Sequence, residues 1–313
     1  MQGYEALRER AAWADLSARG RLRATGDDRV RLLHAMTTNH IQQLAAGGGC
    51  PVFFLNPQGR ILAAAYILAF PDALLIDTEP ESRGFLYEHL DRYIIADDVT
   101  LEDVTASTVE IGIEGPQSPA VLAALGAPVP DLPYAHQEWN GASVVRSDAV
   151  GVTGFSLIAP ASERAALVAR IESAGVPAAG PEALRVVRLE NGVPRYGEDI
   201  TDRQVPHETQ RLEFVHFQKG CYIGQEIVER VRARGGVHRF LVPLEIEGSD
   251  PLSGGTKIET GGKDIGEITS SAFSPARGKV VALGYVRLHD VPAGASVTAA
   301  GRSLRIGVTE RRP

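Results

Sequence analysis

The sequence predicts an α+β protein in which helices cover one face of antiparallel sheets, followed by a small C-terminal β-barrel. In the first part of the chain, strand-like and helix-like segments follow the order strand, helix, three strands, helix, strand, and a similar order recurs later. After Arg239, six short strand-like runs punctuated by glycine follow one another, which is typical of a barrel or sandwich. We place the domain boundary near Gly235 and Gly236.

The first unit begins with helical spacing in "YEALRERAAWADL", a short strand "RLRATG" and a second helix "DDRVRLLHAM", where Asp27 and Asp28 favour a helix start. The run "CPVFFLNPQGRILAAAYILAFPDALLIDT" predicts three strands, with turns at Asn56–Gly59 and at Pro71. A helix "PESRGFLYEHLDRYII" with Pro80 in its first turn follows, and then the strands "VTLEDV" and "TVEIGIEG".

The second unit repeats these patterns. "ASVVRSD" and "GFSLIAP" predict strands, "SERAALVARIESAG" predicts a helix that ends at Gly175, and "PEALRVVRLENG" predicts another that ends at Gly192. The predicted barrel strands are "FLVPLEIEG", "TKIET", "DIGEITSSAF", "KVVALGYVR", "ASVTAAG" and "SLRIGVTE".

Composition excludes several classes of protein. Apolar residues make up 44% of the 313 residues and charged residues 23%, as in a globular protein, and the net charge of −7 argues against a broad nucleic-acid surface. The start of the chain lacks the apolar core of a signal peptide, and the apolar run "ILAAAYILAF" is only long enough for a strand. Cys50 and Cys221 are not part of a CxxC pair, so no structural zinc site is expected. We therefore expect a cytoplasmic protein with reduced thiols and no membrane contact.

The segment "KGCYIGQEIVER" holds the first candidate functional residue. Cys221 lies between glycines just before a helix start, where free backbone N–H groups and the nearby Lys219 favour a thiolate. The sequence thus predicts a reactive or metal-ligating thiol. Alternatively, the cysteine fills a turn as a small apolar side chain.

Glu190 is the second candidate. It falls in the last turn of the predicted helix "PEALRVVRLE", where the helix dipole disfavours a carboxylate by a few tenths to about 1 kcal/mol. A carboxylate in this unfavourable position could accept paired hydrogen bonds from the amidine-like edge of a pterin. The alternative is a solvated side chain, or an ion pair with Arg185, Arg188 or Arg195.

Two further clusters of charge carry weaker hypotheses. "ERVRARGGVHR" concentrates Arg230, Arg232, Arg234 and Arg239, a local basic patch that could receive a polyglutamate tail or RNA, or could be a solvated face. Asp97 and its neighbour Asp98 have no adjacent His or Cys, and a turn or cap is the better interpretation.

The segment "KGCYIGQE" closely resembles the signature of YgfZ-type folate-binding proteins, which are related to iron–sulfur assembly factors and similar to the glycine-cleavage T-protein, an aminomethyltransferase. "MTTNHI", "FLNPQGRIL", "IEGPQSPAVL", "RLENGVPRYGEDI" and "VPHETQRLEFVHFQKGCYIGQEIVER" occur in the family's order, so that the resemblance covers nearly the whole chain.

This resemblance implies a three-domain ring of two interleaved ferredoxin-like α/β units and a C-terminal barrel. The expected ranges are residues 1–235 for the folate-binding region, with subdomains of roughly 21–105 and 106–235, and 236–313 for the barrel. The central channel would bind tetrahydrofolate. Glu190 matches the glutamate that grips the pterin, and Tyr196 in "RYGED" is a further channel residue.

The signature supplies the remaining expected site residues. Cys221 matches the cysteine on which YgfZ-type activity depends, as a redox thiol or a ligand of a metal cluster shared with a partner. Lys219, Gln225 and Arg230 are expected to contribute to the cofactor site.

One departure from the T-protein pattern bears on the reaction. T-proteins have an aspartate pair after "GGI", and one of these acids is needed for aminomethyl transfer. In this chain "GRILAAA" places Ala63 and Ala64 at or next to those positions, so glycine-cleavage chemistry is not expected.

Two functions are therefore expected as alternatives. The first is a tetrahydrofolate-binding accessory factor in iron–sulfur cluster assembly or repair, which supports cluster enzymes including those that modify tRNA. Because a cluster usually takes about four thiolates, it would be bridged to a scaffold or carrier protein through Cys221. The second is a folate-dependent one-carbon transferase or demethylase, with Glu208 or Asp199 as acid or base. Direct contact with tRNA would be limited to the basic patch.

Overall fold

A computed structural model describes residues 1–292 and 294–307 and confirms the predicted fold class, with two α/β units and a closed barrel. The α-helices of these residues are α1 (Tyr4–Glu9), α2 (Arg29–Met36), α3 (Arg83–Asp91), α4 (Ser118–Ala124), α5 (Arg164–Ser173), α6 (Pro181–Glu190) and α7 (Gln225–Arg234). Short 3₁₀ turns connect several elements between residues 206 and 214.

The strands of the first unit are β2 (Gly20–Thr25), β3 (Gly49–Leu55), β4 (Ile61–Ala69), β5 (Leu74–Thr78) and β6 (Thr100–Asp103), and those of the second are β1 (Ala12–Asp15), β7 (Thr108–Glu114), β8 (His136–Trp139), β9 (Ala142–Arg146) and β10 (Gly154–Pro160). The barrel comprises β11 (Phe240–Ile246), β12 (Lys257–Thr260), β13 (Lys263–Ser274), β14 (Lys279–Val286), β15 (Val297–Ala299) and β16 (Arg302–Ile306). The predicted last strand runs on to residue 310, and residues 308–310 lie outside the described part of the chain.

The two sheets are antiparallel and interleaved along the chain. The first has the strand order β3-β4-β5-β2-β6 and the second β1-β7-β10-β9-β8. Strand β1 precedes the first sheet in sequence but pairs with β7 of the second, from Ala12 opposite Glu114 to Asp15 opposite Ile111. The barrel closes in the order β11-β14-β13-β12-β15-β16.

One predicted helix is shorter than expected. "YEALRERAAWADL" was expected to be helical throughout, but α1 ends at Glu9 and the residues from Ala12 form β1. Pairing with β7 buries Ala12 and Ala14. Tertiary pairing therefore overrides the local helical pattern.

Alternation along β4 determines which side chains face the site. Ala63, Ala65 and Ile67 are buried in the core of the first unit, whereas Ala64 and Tyr66 point to the opposite face and are partly exposed. Thus one strand contributes both to the core and to the cavity described below.

Helix α6 connects the second unit to the barrel. Arg188 is buried on α6 and its Nη1 donates to Asp199 at 2.7 Å. The other Asp199 oxygen accepts hydrogen bonds from the hydroxyls of Thr269 and Ser270 in β13 at 2.6 and 2.5 Å. Since every member is paired, this buried network fixes the barrel against the helix. None of the helices within residues 1–292 and 294–307 has the length and apolar character needed to cross a membrane.

Candidate functional site

A partly open cavity of about 390 Å³, counting the space open to solvent, lies beside strand β4. We call it the central cavity. Its lining residues are Arg19, Phe53, Ala64, Ala65, Tyr66, Glu79, Pro194, Tyr196, Ile200, Arg211 and Phe214. Aromatic rings and charged groups therefore meet in one concave place, as is usual for small-molecule sites.

Tyr66 is the central aromatic residue of this cavity. Its ring stacks on Tyr134 with centroids 5.1 Å apart and lies 6.1 Å from the ring of Phe214. The guanidinium carbon of Arg19 lies 5.7 Å from the Tyr66 centroid, and that of Arg211 lies 5.2 Å from the Phe214 centroid. The two rings are thus each flanked by an arginine, an arrangement that favours planar ligands.

A network of ion pairs holds Arg19 in place. Its Nε donates to both oxygens of Asp77 at 2.8 and 3.1 Å, and its Nη1 donates to Glu79 at 2.7 Å. The other oxygen of Glu79 accepts from Arg195 Nε at 2.8 Å. Burial raises the pKa of Asp77 and the arginine opposes that shift. Glu79, a carboxylate of the cavity lining, is therefore fully engaged.

Of the two alanines that replace the expected acid pair, the structure places Ala64 in the cavity lining and Ala63 in the core. The residue type at position 64 therefore decides whether the cavity has an acid at this point. Alanine can neither donate nor accept a proton there.

Tyr196 is the residue of the predicted cofactor site that lines the central cavity. Its hydroxyl donates to the backbone oxygen of Leu62 on β4. Burial raises the pKa of Tyr196 to about 12, so that the hydroxyl keeps its proton near neutral pH.

Cys221 lies apart from the central cavity, in a segment that we call the signature loop, residues 219–224. The cysteine is exposed and is not among the lining residues. Gly224 ends the loop with φ of 83°, and a Cβ there would lie 2.6 Å from the Asn56 oxygen. A Cβ at Gly59 would lie 2.8 Å from Ile227. Only glycines allow the β3–β4 turn to pack this closely against the start of α7.

Lys219 anchors the signature loop and does not contact the cavity. Its Nζ donates to the backbone oxygens of His34, Thr37 and Asn39 at 2.5, 2.5 and 2.8 Å, at the C-terminal end of α2. Burial lowers the pKa of Lys219 to about 7, and an electrostatic interaction with Cys50 opposes that shift. The three carbonyl acceptors match the three N–H bonds of an ammonium. In this structure Lys219 therefore ties the signature loop to α2, and its contribution to a cofactor site stays a prediction.

Three imidazoles pack beside this loop. His34 and His40 have ring centroids 4.7 Å apart, and His40 and His216 lie 5.1 Å apart. Burial and then the nearby Lys219 lower the pKa of His34 to about 4. A Cβ at Gly220 would lie 3.9 Å from His34 Nε2, so the cluster borders the loop one residue before Cys221.

The second cysteine, Cys50, is protonated near neutral pH. Cys50 lies on β3, and burial raises the pKa of its thiol to about 12. Within the described ranges, no group of three or more His, Cys, Asp or Glu side chains is arranged to hold a metal ion. A cluster at Cys221 would therefore need ligands from outside this part of the chain.

Glu190 is buried at the junction of α1, α6 and the barrel, and it does not line the central cavity. One of its oxygens accepts from the Tyr4 hydroxyl and from Ser274 Oγ, the latter at 2.5 Å. The other lies 3.2 Å from Arg8 Nε. These partners explain why a carboxylate is tolerated in the last turn of the helix. Neither Glu190 nor Cys221 is thus among the lining residues of the central cavity.

Gln225 and Arg230 also lie outside the cavity lining. Gln225 is the first residue of α7, and Arg230 is on an exposed face, where it pairs with Glu226 at 2.7 Å. In the predicted basic patch, Arg232 pairs with Glu229 and Arg239 with Glu208. Most of the patch is therefore neutralised by neighbouring carboxylates.

Sequence reasoning missed six charged or aromatic cavity residues: Arg19, Phe53, Tyr66, Glu79, Arg211 and Phe214. The available signals were weak, namely a lone arginine after "DLSA" and an acidic pair after strand β5. The acids proposed for a transferase, Glu208 and Asp199, bond to Arg239 and Arg188 instead and are absent from the lining.

Comparisons with known proteins identify the family. Residues 1–219 match the GCVT N-terminal domain, and residues 239–312 match the glycine cleavage T-protein C-terminal barrel domain. A chloroplastic protein of Arabidopsis thaliana named as a transferase is 28% identical over 91% of this chain and 67% of its own length. An aminomethyltransferase of Rippkaea orientalis is 29% identical over 90% of this chain and 80% of its own.

A solved structure shows the same fold. The glycine cleavage system aminomethyltransferase T from Bartonella henselae superimposes with a TM-score of 0.87, covering 98% of this chain and 88% of that one, at 22% sequence identity.

Proposed function

The chain belongs to the glycine cleavage T-protein family, and on that premise we propose that it binds a tetrahydrofolate in the central cavity and acts in one-carbon transfer. The observation that carries this proposal is the cavity itself, where the rings of Phe53, Tyr66, Tyr196 and Phe214 surround one concave space. Relatives named aminomethyltransferase or transferase support the same chemistry.

The lining residues fit a folate in their chemistry. Tyr66 and Phe214 offer ring faces to a planar group, and Tyr196 offers a neutral phenol beside them. A bound tetrahydrofolate would supply the nitrogen atoms that carry the one-carbon unit. The protein's part would be to orient the ring and to exclude water. Glu190 would contribute only if Tyr4, Ser274 and Arg8 released it, so we do not assign it to the pterin.

Ala64 limits the reaction that we propose. Because the cavity has no acid at this position, and the carboxylate of Glu79 is engaged by two arginines, glycine-cleavage aminomethyl transfer is not proposed. The reaction would be one that needs no carboxylate at position 64.

The experiment is a calorimetric titration of tetrahydrofolate into wild type and Ala64→Leu, in which the larger side chain fills part of the cavity. We expect binding to wild type and at least tenfold weaker binding to the variant. Ala120→Leu, on the exposed face of α4, is the control and should bind as wild type does. Equal affinities in all three proteins would refute the assignment of the cavity.

A second function is favoured by the exposed Cys221. We propose, as the alternative, that the protein is a YgfZ-type accessory factor in iron–sulfur cluster assembly, with this thiol as redox group or bridging ligand. Support comes from the exposure of Cys221 on a loop that Lys219 holds rigidly, while Cys50 is protonated. The partner would be a scaffold or carrier protein that supplies the other ligands.

The test uses a strain that lacks the protein and depends on iron–sulfur enzymes. Cys221→Ser should fail to restore their activity, whereas Cys50→Ser should restore it, and both should bind tetrahydrofolate as wild type does. Full rescue by Cys221→Ser would eliminate this alternative.

A further inference from the structure

In the central cavity the carboxylate acceptors have hydrogen-bond partners, whereas several arginine donors have none within the described residues. Both oxygens of Asp77 accept from Arg19, and the two oxygens of Glu79 accept from Arg19 and Arg195. On the donor side, Arg211 uses its Nε for Glu213. Arg19 Nη2 and both terminal nitrogens of Arg211 have no hydrogen-bond partner among residues 1–292 and 294–307. The cavity therefore offers donors to a ligand and no unengaged carboxylate oxygen.

These spare donors are close to apolar surface. Arg19 lies over Tyr66 and Arg211 over Phe214, and the two rings are neighbours at 6.1 Å. The arginines are also mostly buried, with side-chain exposures of 17% and 24%. Partly desolvated guanidinium edges beside aromatic faces match a carboxylate attached to a flat or apolar body.

We propose that the central cavity binds a small organic acid, with its carboxylate between Arg19 and Arg211 and its body against Tyr66 and Phe214. The acid is the second substrate, which meets the folate, and this assignment rests on the proposed function. Ala64 is compatible with this ligand because it carries no charge, whereas an aspartate at this position would repel the anion.

A carboxylate in this cavity has two sources, a separate small acid or the glutamate tail of the folate. The experiment must distinguish them. It must also distinguish failure of this proposal from failure of folate binding.

The first arm titrates benzoate and the neutral, similarly shaped benzamide into the full-length protein. We expect benzoate to bind at least tenfold more tightly. Arg211→Gln should weaken benzoate binding about 10- to 100-fold, the loss expected for hydrogen bonds to a charged group. Arg164→Gln removes an arginine that pairs with the surface Asp15, and it is the matched control, with no expected effect. Equal binding of benzoate and benzamide would overturn the proposal.

The second arm avoids any loss of an arginine. Ala64→Asp should abolish benzoate binding, because the two negative charges repel each other. Ala64→Asn introduces a neutral side chain of the same shape as aspartate and should retain most of the benzoate binding. If both variants bind benzoate equally, the anion does not lie in the cavity.

The third arm separates the sources by repeating the benzoate titration with saturating tetrahydrofolate, and by comparing tetrahydrofolate with the primary amide of tetrahydropteroic acid, which has neither the glutamate nor a benzoate carboxylate. Benzoate binding that persists beside folate supports a separate acid. Mutual exclusion, with Arg211→Gln weakening tetrahydrofolate but not the tetrahydropteroic amide, would overturn that assignment in favour of the tail. Intact benzoate binding without any folate binding would refute the proposed function and leave the carboxylate site in place.

Discussion

The signature loop is held by backbone acceptors, whereas the central cavity is held by pairs of charged side chains. Lys219 donates three hydrogen bonds to backbone carbonyls at the end of α2, and Gly224 packs against the β3–β4 turn. In the cavity, Arg19 is fixed by Asp77 and Glu79, yet it keeps an unused edge. The backbone carbonyls hold the signature loop so that it presents one exposed side chain, Cys221. The ion pairs of the central cavity hold Arg19 and still leave donors for a ligand.

The largest expected effect tests the loop. Lys219→Met would leave three carbonyls at the end of α2 without their donor, and each buried acceptor left without a partner costs about 1–3 kcal/mol. We expect the free energy of unfolding to fall by about 3 kcal/mol or more, measured by urea denaturation. Lys257→Met, with an exposed side chain on β12, should change it by less than about 0.5 kcal/mol.

If Lys219→Met proved as stable as wild type while it lost folate affinity, the lysine would be a cofactor ligand as the sequence predicted. The signature loop, like the central cavity, would then contribute a ligand-binding side chain. Stability and affinity must therefore be measured on the same preparation.

A smaller effect is expected at the junction of α1, α6 and the barrel. Glu190→Gln keeps the shape but removes the charge that Arg8, Tyr4 and Ser274 contact, and we expect a loss of about 1–3 kcal/mol in unfolding free energy. Glu182→Gln, in the exposed first turn of the same helix, is the control. A variant that kept full stability but lost tetrahydrofolate affinity would restore Glu190 as the pterin ligand.

The fold was largely predictable from the sequence, and the reason is local. The apolar run "ILAAAYILA", bounded by turns at Asn56–Gly59 and Pro71, and the glycine-punctuated runs after Arg239 predict strands from local sequence. The exception is β1, whose residues have helical spacing and become a strand only because β7 is available to pair with them. Such pairing joins residues about 100 positions apart, and no local pattern specifies it.

The site was predicted less well, because its residues are brought together by tertiary structure alone. Arg19, Tyr66 and Arg211 lie on separate segments, each ordinary by itself. Conversely, Glu190 was conspicuous in sequence because its charge opposes the helix dipole, and Lys219 because it belongs to the signature. In the structure both connect separate elements. A charge in an unfavourable position thus indicates that it has a partner, without saying whether that partner is a ligand or the protein itself.

The smallest expected effect concerns the imidazoles beside the signature loop. Burial and Lys219 lower the folded-state pKa of His34 to about 4, below its unfolded value of 6.5, so the unfolded chain binds the proton more tightly. The stability contributed by neutral His34 is present above pH 6.5 and is lost as pH falls towards 4. His40 and His216, with Lys219, are the titratable groups that face it.

Between pH 7 and 5.5 we expect His34 to lower the free energy of unfolding by about 1 kcal/mol, since one pKa unit corresponds to about 1.4 kcal/mol. Urea denaturation at both pH values should show a loss that is about 1 kcal/mol smaller in His34→Gln than in wild type or in His289→Gln, an exposed histidine. Burial also lowers the pKa of His40, His89, His136 and His207, so part of the loss remains in every variant. Parallel pH profiles for wild type and His34→Gln would mean that the loop is not coupled to this histidine, and that the carbonyls bound by Lys219 hold it alone.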